Sequence, residues 1–171
     1  MTEKILIAYA TRAGSTREIA FEIGRVLAEQ GKNVDVLCIK EVRSLNDYSG
    51  VILGSGIRVG GWMPEAVKFV ETHQAELHQM PTAFFLVSLF LHENTPEVRA
   101  TVAAYLDPVR KIFEPAAIGL FAGKMDFKAL TWPERQIAKM VKSPEGDFRD
   151  WPQIRSWAAD LQQTIFSPVL S

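Results

Sequence analysis

Lys4-Ile5-Leu6-Ile7-Ala8-Tyr9-Ala10-Thr11-Arg12-Ala13-Gly14-Ser15-Thr16 passes from a nearly continuous apolar run into a short polar stretch with one glycine and three hydroxyl residues. The apolar part is too short for a helix and suits a parallel strand buried on both faces. After the polar stretch, Ile19, Ala20, Ile23, Val26 and Leu27 recur at helical spacing as far as Gly31, a helix stop. Ser15 followed by Glu18 reads as a capping box for that helix. The chain thus opens strand, tight polar loop, helix.

The same alternation continues outward. Asn33–Ile39 reads as a second strand, alternating and so nearer an edge. Val51–Gly54 is a third strand, and Pro64 opens a helix carrying Val67, Val70 and Leu77. Thr82–Val87 is a fourth, followed by a loop to Asn94 and a Thr95-Pro96 helix start. Val98, Val102, Tyr105, Leu106, Val109 and Ile112 mark one face of a long helix. Ala116–Ala122 is a fifth strand, and the last helix starts near Trp151-Pro152. Such a sequence of elements demands parallel strands with helices on both faces. The expected fold is α/β, a doubly wound five-stranded parallel sheet in the order 2-1-3-4-5. Lys124–Asp150 is too long for an ordinary connection. Thr131 with Glu134 marks a helix start inside it, and a short extra helix is expected at about 132–142, with Ile137, Met140 and Val141 as its apolar face.

Composition narrows the function classes. The 171 residues suit one domain, and the chain carries 19 basic against 20 acidic residues, net −1. That is no nucleic-acid footprint. The single cysteine, Cys38, cannot form an internal disulfide, and no zinc-ligand spacing is present, so no metal is expected. No apolar stretch is long enough to cross a bilayer, and the N-terminus lacks a signal-peptide core, so a cytoplasmic protein is expected.

In an open parallel sheet, ligands bind beyond the carboxyl ends of the strands where the strand order reverses, here between the first and third strands. The loops 11–16 and 55–62 face that crevice. The first ends at a helix N-terminus, where unpaired N–H groups and the helix dipole favour an anion, and Thr11, Ser15 and Thr16 add hydroxyls. It reads as a phosphate site or, more plainly, as a strand-to-helix turn with a capping serine. No Gly-Lys-Ser/Thr follows the glycine, so it is not a nucleoside-triphosphate loop, and Gly54-Ser55-Gly56 with Gly60 has the wrong spacing for a dinucleotide fingerprint.

Thr11-Arg12-Ala13-Gly14-Ser15-Thr16 resembles the phosphate loop of flavodoxins, Thr/Ser-x-Thr-Gly-x-Thr, with Ala13 replacing the middle hydroxyl residue. Flavodoxins are themselves the familiar case of a mononucleotide at this switch point. Three further stretches carry the likeness along nearly the whole chain: Gly54-Ser55-Gly56-Ile57-Arg58-Val59-Gly60, Ala122-Gly123-Lys124-Met125-Asp126-Phe127 and Pro144-Glu145-Gly146-Asp147-Phe148-Arg149-Asp150-Trp151. They look like the flavodoxin-domain family, and the insert after the fifth strand like its branch of menaquinone-dependent protoporphyrinogen dehydrogenases of haem synthesis.

The resemblance implies one FMN, its phosphate held by Thr11, Arg12, Ala13, Gly14, Ser15 and Thr16. Ser55, Gly56, Ile57, Arg58, Val59, Gly60 and Trp62 would flank the isoalloxazine on one side, and Ser88, Leu89, Phe90, Leu91 and His92 on the other. It implies an FMN-dependent oxidoreductase with a quinone or a redox partner protein as acceptor and a tetrapyrrole as substrate. The alternative is a flavodoxin-type electron carrier with no substrate of its own, against which the near-neutral charge argues weakly. A phospho-receiver shares the topology but needs acidic residues where Ala10-Thr11-Arg12 and Gly54-Ser55 stand. No nicotinamide site is legible for an NAD(P)H-dependent reductase.

A flavin performs its own redox chemistry, so the lack of a catalytic triad is no argument against an enzyme. Gly54, Gly56, Gly60 and Gly61 would let backbone approach a planar ring. Trp62 either stacks on that ring or caps the next helix against the sheet. Arg58 either favours an anionic reduced flavin or is a surface arginine. Phe90 and Leu91 either wall the flavin or pack under the next helix. His92, beside the crevice, is a proton carrier or a structural histidine; His73 and His78 read as solvated. Lys128, Arg135, Lys139 and Lys142 with Leu130, Trp132, Ile137, Met140 and Val141 form a basic amphipathic element. It either packs on the domain with its charges in water, covers the flavin, or makes a peripheral membrane contact through residues 128–142 on the inner membrane face.

Overall fold

The computed structural model describes residues 3–11, 14–57 and 60–166. Five parallel strands, β1 (Lys4–Ala10), β2 (Asn33–Cys38), β3 (Gly50–Gly56), β4 (Thr82–Ser88) and β5 (Ala117–Ala122), form one sheet in the order β2-β1-β3-β4-β5. The expected order is the observed one. Ile7 of β1 sits between Val36 of β2 and Ile52 of β3, which fixes the register at the sheet centre. The central strands are buried on both faces, whereas β2 is half-buried along its length, as its alternating sequence requires of an edge strand.

Each face of the sheet carries its own core. On one, α1 (Ser15–Glu29) and α7 (Trp151–Thr164) cover Ile5, Ile7, Ile52, Phe85 and Phe121. On the other, α2 (Pro64–Thr72), α3 (Gln74–Leu77), α4 (Pro96–Ala104) and α5 (Asp107–Arg110) cover Leu6, Ala8, Leu53, Phe84 and Leu86. Residues one apart along each strand thus enter opposite cores, the consequence of the two-residue period of a strand.

Three local expectations are corrected. The Ser15–Glu18 capping box does not form: Gly14 is the N-cap, with φ 90°, and no side chain caps the helix. The long helix expected through Ile112 breaks into α4 and α5, because Pro108 has no N–H to give and its ring disfavours continuation of the preceding turn. The helix from Pro64 is interrupted at His73 and resumes as α3.

The insert holds a two-stranded antiparallel ribbon of β6 (Lys124–Met125) and β7 (Gly146–Asp147), which the sequence reading did not anticipate. Between them lies α6 (Trp132–Met140), with the Thr131–Glu134 capping box present. Its C-terminus closes with Lys142 N–H on Lys139 O and Ser143 N–H on Ala138 O, which puts Lys142 at φ 53°. No helix among the described residues is long and apolar enough to cross a membrane.

Candidate functional site

The loops after β1, β3, β4 and β5 and the end of the insert enclose a cavity of about 590 Å³. Thr11, Ser15 and Thr16 line it from the β1–α1 connection; Gly56, Ile57 and Met63 from the β3–α2 connection; and Val87 through Phe90 with His92 from β4 and the 3-10 turn Leu89–His92. Gly123, Lys124 and Met125 close it beyond β5, and Val141 through Pro144 close it from the end of α6.

One end of the cavity is polar. Thr11 Oγ1 accepts the Gly14 N–H at 3.0 Å, which holds the loop in its turn. Gly14 occupies a backbone region that side chains resist, and its left-handed turn shifts the helix start by one residue. Ser15 therefore enters the first turn instead of capping it, and its hydroxyl faces the cavity with that of Thr16, which is 1% exposed. Backbone from two other loops lies close by: a Cβ on Gly56 would lie 3.5 Å from Thr16 Oγ1, and one on Gly123 would lie 3.7 Å from Ser15 Oγ. Lys124 also borders a smaller hollow of about 110 Å³ beside Gly14, Ser15 and Glu18, which brings a cation next to the loop. Hydroxyls, an uncapped helix N-terminus and one ammonium are a donor set that fits a phosphate monoester.

The rest of the lining is apolar, from Ile57, Met63, Val87, Leu89 and Phe90. Phe90 is 59% exposed. Phe90 and His92 also line a second cavity of about 340 Å³, floored by Val98, Val102 and Tyr105 of α4 and its end and rimmed by Glu93 and Glu97. These two side chains are the wall between the cavities. His92 Nδ1 lies 2.7 Å from Leu89 O. A carbonyl only accepts, so Nδ1 carries the proton and Nε2, 3.8 Å from a Glu93 carboxylate oxygen, is the exchangeable position.

Other expected residues lie elsewhere. Trp62 is 4% exposed and packs on Phe84 with ring centroids 4.8 Å apart, which matches its reading as a cap against the sheet. Leu91 is buried in the same core. Ser55 is fully buried; its hydroxyl accepts the Met63 N–H at 3.1 Å and donates to Gly56 O, so it shapes the loop from behind. Gly60 has φ 70° and does not line the cavity. Gly54 lies against Phe85, whose ring occupies the place of a Cβ, so the ring it admits is the protein's own. Arg12, Ala13, Arg58 and Val59 lie outside the described residues. His73, expected to be solvated, is half-buried with its ring on Phe69 at 4.5 Å, whereas His78 is exposed as expected, with Phe113 at 4.9 Å from its ring.

Val87, Gly123, Lys124, Met125 and the segment 141–144 join the site without having been read from sequence as cavity residues. Val87 comes from the end of β4, Lys124 and Met125 from β6, which is too short to show periodicity, and 141–144 from the chain between α6 and β7. Arg149 fixes the ribbon of β6 and β7. Its guanidinium donates to both Asp147 oxygens at 2.8 and 2.7 Å, pairs with Glu18 of α1 and stacks on Trp151 at 4.7 Å. The hydrogen-bonded Arg149 guanidinium holds the Asp147 carboxyl down at about 2 despite partial burial.

Comparison with known proteins places this geometry. A family model described as Flavodoxin domain matches residues 6–151. A protein of Leishmania major named protoporphyrinogen IX dehydrogenase [quinone] is 31% identical over 173 residues, covering 92% of this chain and 74% of that protein. One of the same name from Escherichia coli strain K12 is 26% identical over 181 residues, covering 98% of this chain and 99% of the relative. Among solved structures, oxidised flavodoxin 1 of Bacillus cereus superposes with a TM-score of 0.61 at 15% identity, covering 95% of this chain and 99% of that one. The five-strand order, the cavity at its switch point and the matched span agree: the chain belongs to the flavodoxin-domain family, alongside relatives that carry the protoporphyrinogen IX dehydrogenase name.

Proposed function

We propose that the chain is an FMN-dependent oxidoreductase that takes reducing equivalents from a protoporphyrinogen-type tetrapyrrole and passes them to a quinone. The relatives' names support the substrate pair. The observation that carries the cofactor is the pairing of an uncapped α1 N-terminus and the Ser15 and Thr16 hydroxyls at one end of a cavity whose other end is apolar. When bound, the flavin supplies the exchange of a hydride or electron pair. The chain supplies placement. Thr11, Gly14, Ser15 and Thr16 hold the phosphate, with Lys124 balancing its charge. Ile57, Leu89 and Phe90 exclude water from the ring. The second cavity, across the Phe90–His92 wall, would receive a reacting partner. His92, its Nδ1 committed to Leu89 O, holds or releases a proton at Nε2, as quinone reduction requires.

The test separates cofactor from substrate. Protein purified with FMN is yellow and releases one equivalent of FMN on denaturation. Ser15→Ala weakens FMN about tenfold by fluorescence titration, the worth of one charge-assisted hydrogen bond. Riboflavin, which lacks the phosphate, binds wild type and variant alike. Anaerobic mixing with protoporphyrinogen and a menaquinone analogue then gives oxidation faster than free FMN; an equal rate would leave only the electron carrier. A colourless protein that ignores FMN would remove both.

A further inference from the structure

α1 and α6 end in the same way. After α1, Gly31 N–H donates to Ala28 O at 3.0 Å and Lys32 N–H to Leu27 O at 3.1 Å. After α6, Lys142 N–H donates to Lys139 O at 3.1 Å and Ser143 N–H to Ala138 O at 2.9 Å. This paired closure needs a left-handed residue just past the helix, which glycine supplies without a steric penalty. Gly31 does so with φ 89°. At the equivalent place after α6 stands Lys142, with φ 53°, and no other described residue except glycine has a positive φ. A lysine there carries strain that glycine would remove. Strain of this kind persists where a particular side chain is needed.

The two closures differ in what lies beside them. Gly31 is remote from the site, whereas Lys142 is exposed and lines the main cavity between Val141 and Ser143. Its ammonium has no carboxylate partner among the described residues, and none of the described residues lining that cavity is acidic. Lys124 borders the hollow at the phosphate end beside Gly14 and Ser15; Lys142 does not line that hollow, which leaves its charge for another anion. The second cavity has the opposite sign: Glu93 and Glu97 rim it, and no lysine or arginine among the described residues lines it. A carboxylate-bearing reactant is thus drawn to the mouth of the main cavity and turned away from the second. Protoporphyrinogen carries propionate carboxylates, and a quinone ring carries none. We propose that Lys142 binds a propionate of the tetrapyrrole donor at the mouth of the main cavity and so determines which reactant enters there. The proposal rests on the tetrapyrrole reading of the function.

Protoporphyrin, the stable oxidation product, keeps the propionates and serves as the probe. The full chain, with FMN added, is titrated with protoporphyrin and with its dimethyl ester in the same dilute detergent, following tryptophan quenching. Lys142→Gly and Lys142→Ala should weaken protoporphyrin by about fivefold or more, and Lys142→Arg should keep wild-type affinity. All four proteins should bind the ester alike. Added salt should bring wild type towards the variants. In anaerobic turnover, Lys142→Gly should raise the KM for protoporphyrinogen by a similar factor and leave that for menadione unchanged. Its FMN affinity should also stay as in wild type. Amide exchange separates charge from geometry: the Ser143 amide should exchange about threefold or more slowly in Lys142→Gly, but not in Lys142→Ala. Equal protoporphyrin affinity in wild type and Lys142→Gly would overturn the proposal. So would an ester that weakens along with the acid, an FMN affinity that falls in Lys142→Gly, or a Ser143 amide that exchanges faster there. Lys142-dependent porphyrin binding without oxidation of protoporphyrinogen would sink the proposed function and leave this anion site standing. Oxidation of protoporphyrinogen that ignores Lys142 would do the reverse.

Discussion

Gly54 shows how one missing side chain governs the sheet centre. Phe85, its partner across β3 and β4, is fully buried, and a Cβ at Gly54 would lie 1.9 Å from the Phe85 Cζ. The ring cannot move aside freely, because Phe121 and Trp157 pack around it at 6.1 and 6.2 Å. Gly54→Ala should cost about 3 kcal/mol or more by urea unfolding, as overpacking of a stiff core does, and the added Phe85→Leu should restore part of it. A Gly54→Ala variant as stable as wild type would refute this packing. From sequence, Gly54 read as room for a cofactor; only the fold reveals that an aromatic on the next strand, β4, fills it. Ser15 is a similar case. A serine followed three residues later by glutamate has the same spelling whether the serine caps the helix or enters its first turn, and the left-handed turn at Gly14 decides between them.

Among the elements, α1 and α7 lie side by side on one face and are joined by charge as well as packing. Glu22 of α1 accepts from Arg25 at 2.5 Å and from Arg155 of α7 at 2.7 Å. The Arg25 hydrogen bond, opposed by partial burial and reinforced by Arg155, holds the Glu22 carboxyl down at about 2. A depressed carboxyl contributes stability above its ordinary range, near 4.5, and that contribution is lost as pH falls towards 2. Glu22→Gln should therefore lower stability by about 1 kcal/mol at neutral pH, a figure reduced for the exposed arginines. The gap between variant and wild type in thermal midpoint should close as the solution is acidified; a gap that widens would contradict the assignment. The helices themselves were legible from apolar spacing. The breaks at Pro108 and His73 were not, because the apolar residues continue in phase across both.

At the scale of the whole molecule, the insert is held to the sheet domain by Arg149, whose side chain is 6% exposed. It spans three elements, touching Asp147 in β7, Glu18 in α1 and Trp151 in α7. Truncation would leave two carboxylates facing each other without their shared cation. Arg149→Ala should cost about 2 kcal/mol, and the loss should be local: amide hydrogen exchange should rise across residues 124–148 while β1, β3 and β4 keep their protection. Uniformly faster exchange throughout the sheet would mean that the insert is part of the global folding unit. The match of residues 6–151 to one family model runs through this insert, so the lock belongs to the matched span.

The alternation of apolar strands with amphipathic helices determined the five-strand order, since parallel strands need crossovers and right-handed crossovers leave few orders open. The polar loop at 11–16 was equally local: its residues are consecutive, and a helix start follows them. What tertiary structure alone decided was which side chains meet beyond consecutive sequence. It withdrew Trp62 and Leu91 into the core, brought Lys124 and residues 141–144 to the cavity, and turned the apolar stripe of α6 towards solvent. Periodicity tells that a helix has an apolar face. The direction of that face is set by how the insert is anchored: Arg135 ties the helix to the Phe127 and Leu130 carbonyls, and Arg149 ties the insert to Glu18 of α1, more than a hundred residues away in the chain.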